Sequence, residues 1–261
     1  MTLPLSIFII CCDEVERIGF VLESIKDLSD DIVIVDSGST DGTLELVKKY
    51  TDRVYHKDWE GFGQQKVYGE SLCKNDWILN LDADEIMLND IKKSIKHVFD
   101  KPESERAGAY SLRICHVSHL SKSKKPQLFC PVNITPRLYD KKRAGFKDST
   151  VHDKLVVFNR GKMEVLKGRV AHVSLKSFAH MREKVKSYSK LQAQAWFEKG
   201  RKPSLLTLLY DPPAFFLKSY FLRRLCFVGY EGLMISLAIT SGRTQRILLT
   251  RKKWAERRNV S

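Results

Sequence analysis

Two carboxylates stand two residues apart in Asn80-Leu81-Asp82-Ala83-Asp84-Glu85, directly after the apolar run Trp77-Ile78-Leu79. At that spacing Asp82 and Asp84 can reach one divalent cation together. Hard cations such as Mg²⁺ and Mn²⁺ take oxygen ligands and share them with phosphates. Surface loops carry this spacing constantly, so its place after a buried strand gives it weight. A second stretch, Asp36-Ser37-Gly38-Ser39-Thr40-Asp41-Gly42, closes the apolar run Ile32 to Val35. Asp36 can accept hydrogen bonds from a base edge or a ribose. Small residues such as Ser37 let a ligand approach the backbone. Ser39, Thr40 or Asp41 can equally cap the helix that follows. A third acidic pair, Asp13-Glu14, ends the run Leu5 to Cys12.

The elements that must position these acids follow from periodicity. Leu5 to Cys12, Ile32 to Val35 and Trp77 to Leu81 read as fully buried strands of a parallel sheet. Val15, Ile18, Val21-Leu22 and Ile25 fall on one face of a helix over 15–28. Further helices are expected through Leu44 to Tyr50 and over 64–73, with a short strand at 53–56. Strand and helix alternate as in a doubly wound sheet, where ligands bind beyond the carboxyl ends of the strands. Glu14, Asp36 and Asp82 all lie there.

From Ala109 onward, short strand-like runs (109–115, 135–139, 155–158) alternate with basic loops. Residues 178–200 read as a helix with Tyr188, Leu191, Ala195 and Trp196 at helical spacing. Asp211-Pro212-Pro213 is expected to break the chain, and an aromatic, basic tail follows. The expected organisation is a domain over 1–200, split into a ligand-binding half (1–105) and a second half (106–200), and a helical tail over 201–261.

Charge divides the chain. Residues 1–100 hold 11 Lys and Arg against 20 Asp and Glu, a net of −9; residues 101–261 hold 34 against 11, a net of +23. The acidic half can hold a metal, and the basic half can meet phosphates or an anionic surface. The 43% hydrophobic content excludes a disordered chain. Six cysteines with no CxxC pair read as buried structural thiols of a reducing compartment. The N-terminal run has no basic leader segment, and no stretch reaches the length of a membrane span. Aromatic residues 210–230 interleave with Lys218, Arg223 and Arg224, as in a helix lying in a lipid interface. Ile247, Leu248, Leu249 and Trp254 are candidate anchors. Lys122, Lys124, Lys125, Lys141, Lys142 and Arg143 are expected around the mouth of the site.

Asp13-Glu14, the segment 35–43 and Asp82-Ala83-Asp84 together resemble family 2 inverting glycosyltransferases of GT-A fold. Asp58-Trp59-Glu60-Gly61-Phe62-Gly63-Gln64-Gln65-Lys66, Arg137-Leu138-Tyr139 and Val151-His152-Asp153 narrow the resemblance to the lipopolysaccharide core β-1,4-glucosyltransferase subfamily. It covers roughly residues 5–200. It implies a Rossmann-like, mostly parallel sheet flanked by helices, to which the composition adds a helical, basic, membrane-associating C-terminal tail. It implies that Asp36 binds the uracil or ribose of a UDP-sugar, with Glu14, Ser37 and Arg137 in the same nucleotide-sugar site. Lys66 approaches the diphosphate, Asp82 holds ribose or metal, and Asp84 holds Mg²⁺ or Mn²⁺. Asp153 is the implied base, with His152 beside it. The chain departs from the pattern at Asp13, where Asn is usual, and at Asp153, where Glu is frequent.

An inverting transfer needs one base for the acceptor hydroxyl and an electrophile for the departing diphosphate. His152 is the rival base, since an unperturbed imidazole titrates near neutrality. His172 could be a third metal ligand or a core histidine. The reading is therefore a peripheral enzyme on the cytoplasmic face of an inner membrane. It passes a hexose, glucose from UDP-glucose, to the inner core of lipopolysaccharide or lipooligosaccharide. The alternatives are a polyprenyl-phosphate glycosyltransferase and a basic nucleic-acid-binding protein. The second gives no account of the acidic strand ends, and a nicotinamide enzyme would need GxGxxG after the first strand.

Overall fold

The computed structural model describes residues 2–146, 155–158 and 162–258. It divides into two compact units, residues 1–115 with 132–173 and residues 116–131 with 174–261.

The first unit is built on β1 (Leu5–Cys11), α1 (Val15–Ile25), β2 (Asp31–Asp36), α2 (Thr43–Val47), β3 (Val54–His56), α3 (Phe62–Ser71) and β4 (Trp77–Asp82). The chain continues through β5 (Glu85–Met87), α4 (Asn89–Asp100), β6 (Ala109–His116), β7 (Val132–Asp140), β8 (Ala144–Phe146), β9 (Leu155–Val157), β10 (Met163–Val165) and β11 (Val170–His172). Nine strands form one sheet in the order β3-β2-β1-β4-β7-β6-β11-β5, with β10 against β6. Strands β3, β2, β1 and β4 run parallel. Strand β7 is antiparallel to both β4 and β6. This is the GT-A arrangement, a mostly parallel α/β sheet with helices on its faces.

The period-2 geometry of β1 explains its uninterrupted apolar sequence. Ile7 and Ile9 join a core with Ile18 and Leu22 of α1, Val47 of α2 and Ile95 of α4. Phe8 and Ile10 point the other way, into a core with Val35, Ile78 and Tyr139. Gly69 lets α3 lie against that second face, since a Cβ there would stand 2.7 Å from the Phe8 ring. The thiols of Cys11 and Cys73 are buried, and burial pushes Cys73 up to about 12. Neither is a nucleophile at neutral pH.

The second unit contains α5 (Phe178–Glu198), α6 (Leu206–Leu217), a π turn (Lys218–Leu222), a 3₁₀ turn (Leu225–Val228) and α7 (Tyr230–Arg258). The helix over 178–198, grouped by sequence with the first 200 residues, packs here beside α7. No helix among the described residues is long and apolar enough to cross a membrane.

Three sequence expectations change in this unit or beside it, while the helix expected over 178–200 forms as α5. The Pro212-Pro213 pair lies inside α6 and does not break it. The fixed φ of proline is helical, and the lost hydrogen bonds are offset where Pro212 is buried and Asp211 takes both Nε (2.9 Å) and Nη2 (2.5 Å) of Arg243. On α5 the buried positions are Ser189 and Ala193, while Tyr188 and Leu191 are exposed. Small residues there admit α7: Ser189 Oγ donates to Gly242 O at 3.0 Å. Ile247 is core, not anchor, and Trp254 Nε1 donates to Arg201 O at 2.8 Å. Finally, Lys141, Lys142 and Arg143 do not surround the strand ends that carry Asp36 and Asp82. Antiparallel pairing sets Asp140 opposite Trp77, so these cations meet Asp76 and Asp140 at the amino end of β4.

Candidate active site

The carboxyl ends of β1, β2 and β4 bring Glu14, Asp36 and Asp82 to one edge, because parallel strands deliver all their ends to the same side. At β2, Asp36 is buried and answers its own loop. Its Oδ2 accepts from Gly38 N (2.8 Å) and Ser39 N (2.9 Å), and Ser39 Oγ donates to Oδ1. Gly38 holds φ at +98°, which only glycine adopts freely. The backbone of Ser37 donates to Cys11 O at 3.0 Å, closing the loop on β1. Asp13, at φ +53°, accepts from Thr40 N at 2.7 Å.

Around β4 the charges form two linked groups. In the first, buried Arg137 reaches Asn80 Oδ1 (3.2 Å), Asp82 Oδ2 and Glu85 Oε1 (2.6 Å). Register explains its position: Leu138 of β7 stands opposite Leu79 of β4, which sets Arg137 beside Asn80. Lys66, 1% exposed on α3, brings Nζ to 3.5 Å from Asp82 Oδ1 and lies over the Phe146 ring at 5.3 Å. Burial alone would raise the Asp82 carboxyl, but Arg137 and then Lys66 hold it down to about 2. Glu85 is driven upward by its complete burial, which Arg137 only partly offsets.

The second group centres on Arg17, one turn into α1. It is bidentate to Glu14 (Nε to Oε2 2.8 Å, Nη2 to Oε1 2.7 Å), and its Nη1 donates to Asp84 Oδ2 (3.1 Å) and Val173 O (2.9 Å). Asp84 Oδ2 also lies 3.3 Å from His172 Nε2. The β5–β11 ladder places His172 opposite Glu85, and Val173 N donates to Asp84 O at 3.0 Å. Burial lowers the His172 pKa, but Asp84 and the neighbouring carboxylates outweigh it and the net direction is up.

The predicted residues Glu14, Asp36, Ser37, Lys66, Asp82, Asp84, Arg137 and His172 thus lie in the first unit. Asp82 and Asp84 do not face one point. Asp82 turns to Arg137 and Lys66, and Asp84 turns to Arg17 and His172. Among the described residues no group of three or more His, Cys, Asp or Glu is disposed to hold a metal ion. One carboxylate and one imidazole, Asp84 and His172, do converge. Those two side chains would supply one oxygen and one nitrogen donor to a divalent cation, which would need further ligands from outside the protein. His152 and Asp153 lie outside the described residues. Sequence reasoning missed Arg17, Asn80 and Glu85. Arg17 had one usable signal: its i, i+3 spacing from strand-ending Glu14.

The fold and this gathering of cations and carboxylates at strand ends define an α/β enzyme site suited to an anionic ligand. Residues 6–167 match the family model described as Glycosyl transferase family 2. The chain belongs to that family and is a glycosyltransferase. It is 34% identical to an uncharacterized glycosyltransferase of Rickettsia conorii, covering 100% of this chain and 94% of that protein. It is 30% identical to the lipopolysaccharide core biosynthesis glycosyltransferase LpsC of Rhizobium meliloti, covering 88% and 85%. The solved structure of Staphylococcus aureus TarS 1-349 in complex with UDP shares 14% identity over 100% of this chain and 92% of that one, with TM-score 0.49, a likeness too loose to bear on the site.

Proposed function

We propose that the protein transfers a hexose, glucose from UDP-glucose, with inversion, to the inner core of lipopolysaccharide or lipooligosaccharide. One observation carries the reading. Two charge networks sit at the carboxyl ends of the parallel strands: buried Lys66 and Arg137 on Asp82 and Glu85, and half-buried Arg17 with His172 on Asp84. The Rhizobium relative's name supports the acceptor class. Asp36, Ser37 and Glu14 shape the nucleotide end of the site. Lys66 and Arg137 place positive charge beside Asp82, where a diphosphate is drawn in. Asp84 and His172 would hold Mg²⁺ or Mn²⁺, which neutralises charge on the leaving diphosphate. For a diphosphate-bound ion to take Asp84, Arg17 must yield part of that carboxylate while Glu14 keeps hold of its guanidinium.

The acceptor hydroxyl attacks the anomeric carbon in line. The new C–O bond forms as the bond to the diphosphate breaks, and the hydroxyl proton passes to Asp153 or His152. The setting is peripheral, at the cytoplasmic face of an inner membrane. The test is UDP release from a panel of nucleotide sugars, with and without a lipopolysaccharide core acceptor. One donor should be turned over and accelerated by acceptor; Asp84→Ala should lower this about 10²–10³-fold, and Asp153→Asn should abolish it. If Asp153→Asn stays active, the base is His152. If no nucleotide sugar is turned over or bound saturably, the reading fails.

A further inference from the structure

The second unit carries guanidinium groups stacked on aromatic rings with little opposing charge. The Phe215 ring of α6 has Arg243 at 4.1 Å and Arg223 at 5.4 Å from its centroid. The Trp196 ring of α5 has Arg246 at 3.9 Å and Arg201 at 5.3 Å. Among the described residues one carboxylate, Asp211, pairs with these four cations, and it is committed to Arg243. Arg246 is only 8% exposed; Nη1 donates to Gln192 Oε1 at 3.0 Å, while Nε and Nη2 are buried with no acceptor among the described residues. Burial lowers the Arg246 pKa, and Arg243 pushes it the same way. A ring face offsets only part of the cost of burying a cation. The arrangement therefore asks for an anion.

The adjoining segment has its polarity reversed. A surface helix normally buries its apolar stripe. Helix α6 and the π turn instead bury Pro212 and Ser219 and expose Leu209, Leu217, Phe221 and Leu222, the last at 79%. Residues 199–230 hold six Lys or Arg and a single acid, Asp211. Lys218, Arg223 and Arg224 are exposed among the apolar side chains. Apolar groups rimmed by unopposed cations match an acyl boundary beneath anionic headgroups, and they match a soluble acidic partner less well.

We propose that this segment binds an anionic bilayer surface: the arginine–aromatic row receives headgroup phosphates, and Leu209, Leu217, Phe221 and Leu222 enter the acyl boundary. Exposed Arg201 and Arg223 meet the headgroups first, with the unmatched charge of Arg246 behind them. This deepens the peripheral membrane setting proposed above and rests on it. It is tested without any nucleotide sugar, so it can fail while transfer activity stands, and the reverse.

The experiment is flotation of the full chain with vesicles of phosphatidylcholine alone or mixed equally with phosphatidylglycerol. Binding to the anionic vesicles should be at least about tenfold stronger. Leu209→Ser with Leu222→Ser, and separately Arg201→Gln with Arg223→Gln, should each weaken it about tenfold with unchanged melting temperatures. Arg246→Met should raise the lipid-free melting temperature by about 3 °C and still weaken flotation. Equal binding to both vesicle types, or none, overturns the proposal. So does a lowered melting temperature in Arg246→Met, which would mark a merely structural arginine. Inorganic phosphate that displaces the protein from vesicles while the leucine pair has no effect would indicate a soluble phosphate site instead. A concentration-dependent dimer abolished by the leucine pair would indicate an interface between copies.

Discussion

The two units treat buried charge in opposite ways. In the first, each buried or half-buried cation of the site is answered by carboxylate: Arg137 by Asp82 and Glu85, Arg17 by Glu14 and Asp84, Lys66 by Asp82. In the second, Arg246 is answered by an amide oxygen and a ring face. The first arrangement answers its charges with carboxylates, although Arg137 Nε is buried with no acceptor among the described residues, and its geometry is fixed before a ligand arrives. Fixed dipoles and charges cost no reorganisation at the moment of reaction. The second holds positive charge in reserve for something outside the chain. The difference teaches that net charge says less about a region's role than whether each buried charge has a partner.

The second unit also answers one buried carboxylate, although Glu231 Oε1 and His116 Nε2, 3.7 Å apart, have no hydrogen bond among the described residues. Buried Glu231 accepts from His119 N and lies against His119 Nδ1, both at 2.8 Å, and Ser118 Oγ donates to it. It pins the loop 116–131 to the start of α7. Burial would raise its pKa, but His116, Ser118 and His119 hold it down to about 2.

The comparison can be broken most sharply at Glu85. Glu85→Ala leaves Arg137 buried with half its carboxylate partners and should cost about 3–5 kcal/mol of stability, read by urea unfolding. A loss under about 1 kcal/mol would show that the carboxylates do not answer Arg137 in the sense argued. Next in size, Asp84→Ala should lower kcat/KM by about 10²–10³-fold, on the scale of removing one preorganised charge-stabilising group. Stability should hardly change, because Arg17 keeps Glu14.

A smaller effect concerns pH. The Glu231 pKa is depressed in the folded state, from 4.5 to about 2. Its stabilisation, about 3 kcal/mol by linkage, is therefore present above the unfolded pKa and is lost as pH falls from about 4.5 toward 2. In Glu231→Gln the acid limb of the stability profile should flatten in that window, measured by thermal melts across pH. An unchanged limb would remove Glu231 from the set of answered buried charges. The smallest effect is expected at Lys142, exposed beside Asp76 at 2.6 Å. Lys142→Ala should leave the urea midpoint indistinguishable from the parent's in the same assay, because an exposed pair is screened by solvent. A lowered midpoint would mean that exposed pairs matter here as much as buried ones.

Much of the site was legible because strands announce their ends. The run before Asp36 is apolar from Ile32 to Val35 and the one before Asp82 is broken only by Asn80, so the acids that stop them lie at the carboxyl ends of strands. Arg137 came into view through resemblance, but its partners did not. They depend on the register of β7 against β4, and strands more than fifty residues apart in the chain carry no local mark of their pairing. Glu85, next to Asp84 in the chain and given no role from sequence, is the more deeply buried of the two. Lys141, Lys142 and Arg143 misled for the complementary reason: a basic run is visible, but which end of the sheet it reaches is not.

The sequence by itself determined the alternation of strand and helix, the acids at three strand ends and the family, since these rest on local periodicity and short motifs. Tertiary structure alone decided which charges share a partner. It turned Asp82 toward Arg137 and Asp84 toward Arg17 and His172, and left Arg246 without a carboxylate. Pairing energies depend on distance and burial in three dimensions, and neither quantity is written in the order of residues along the chain.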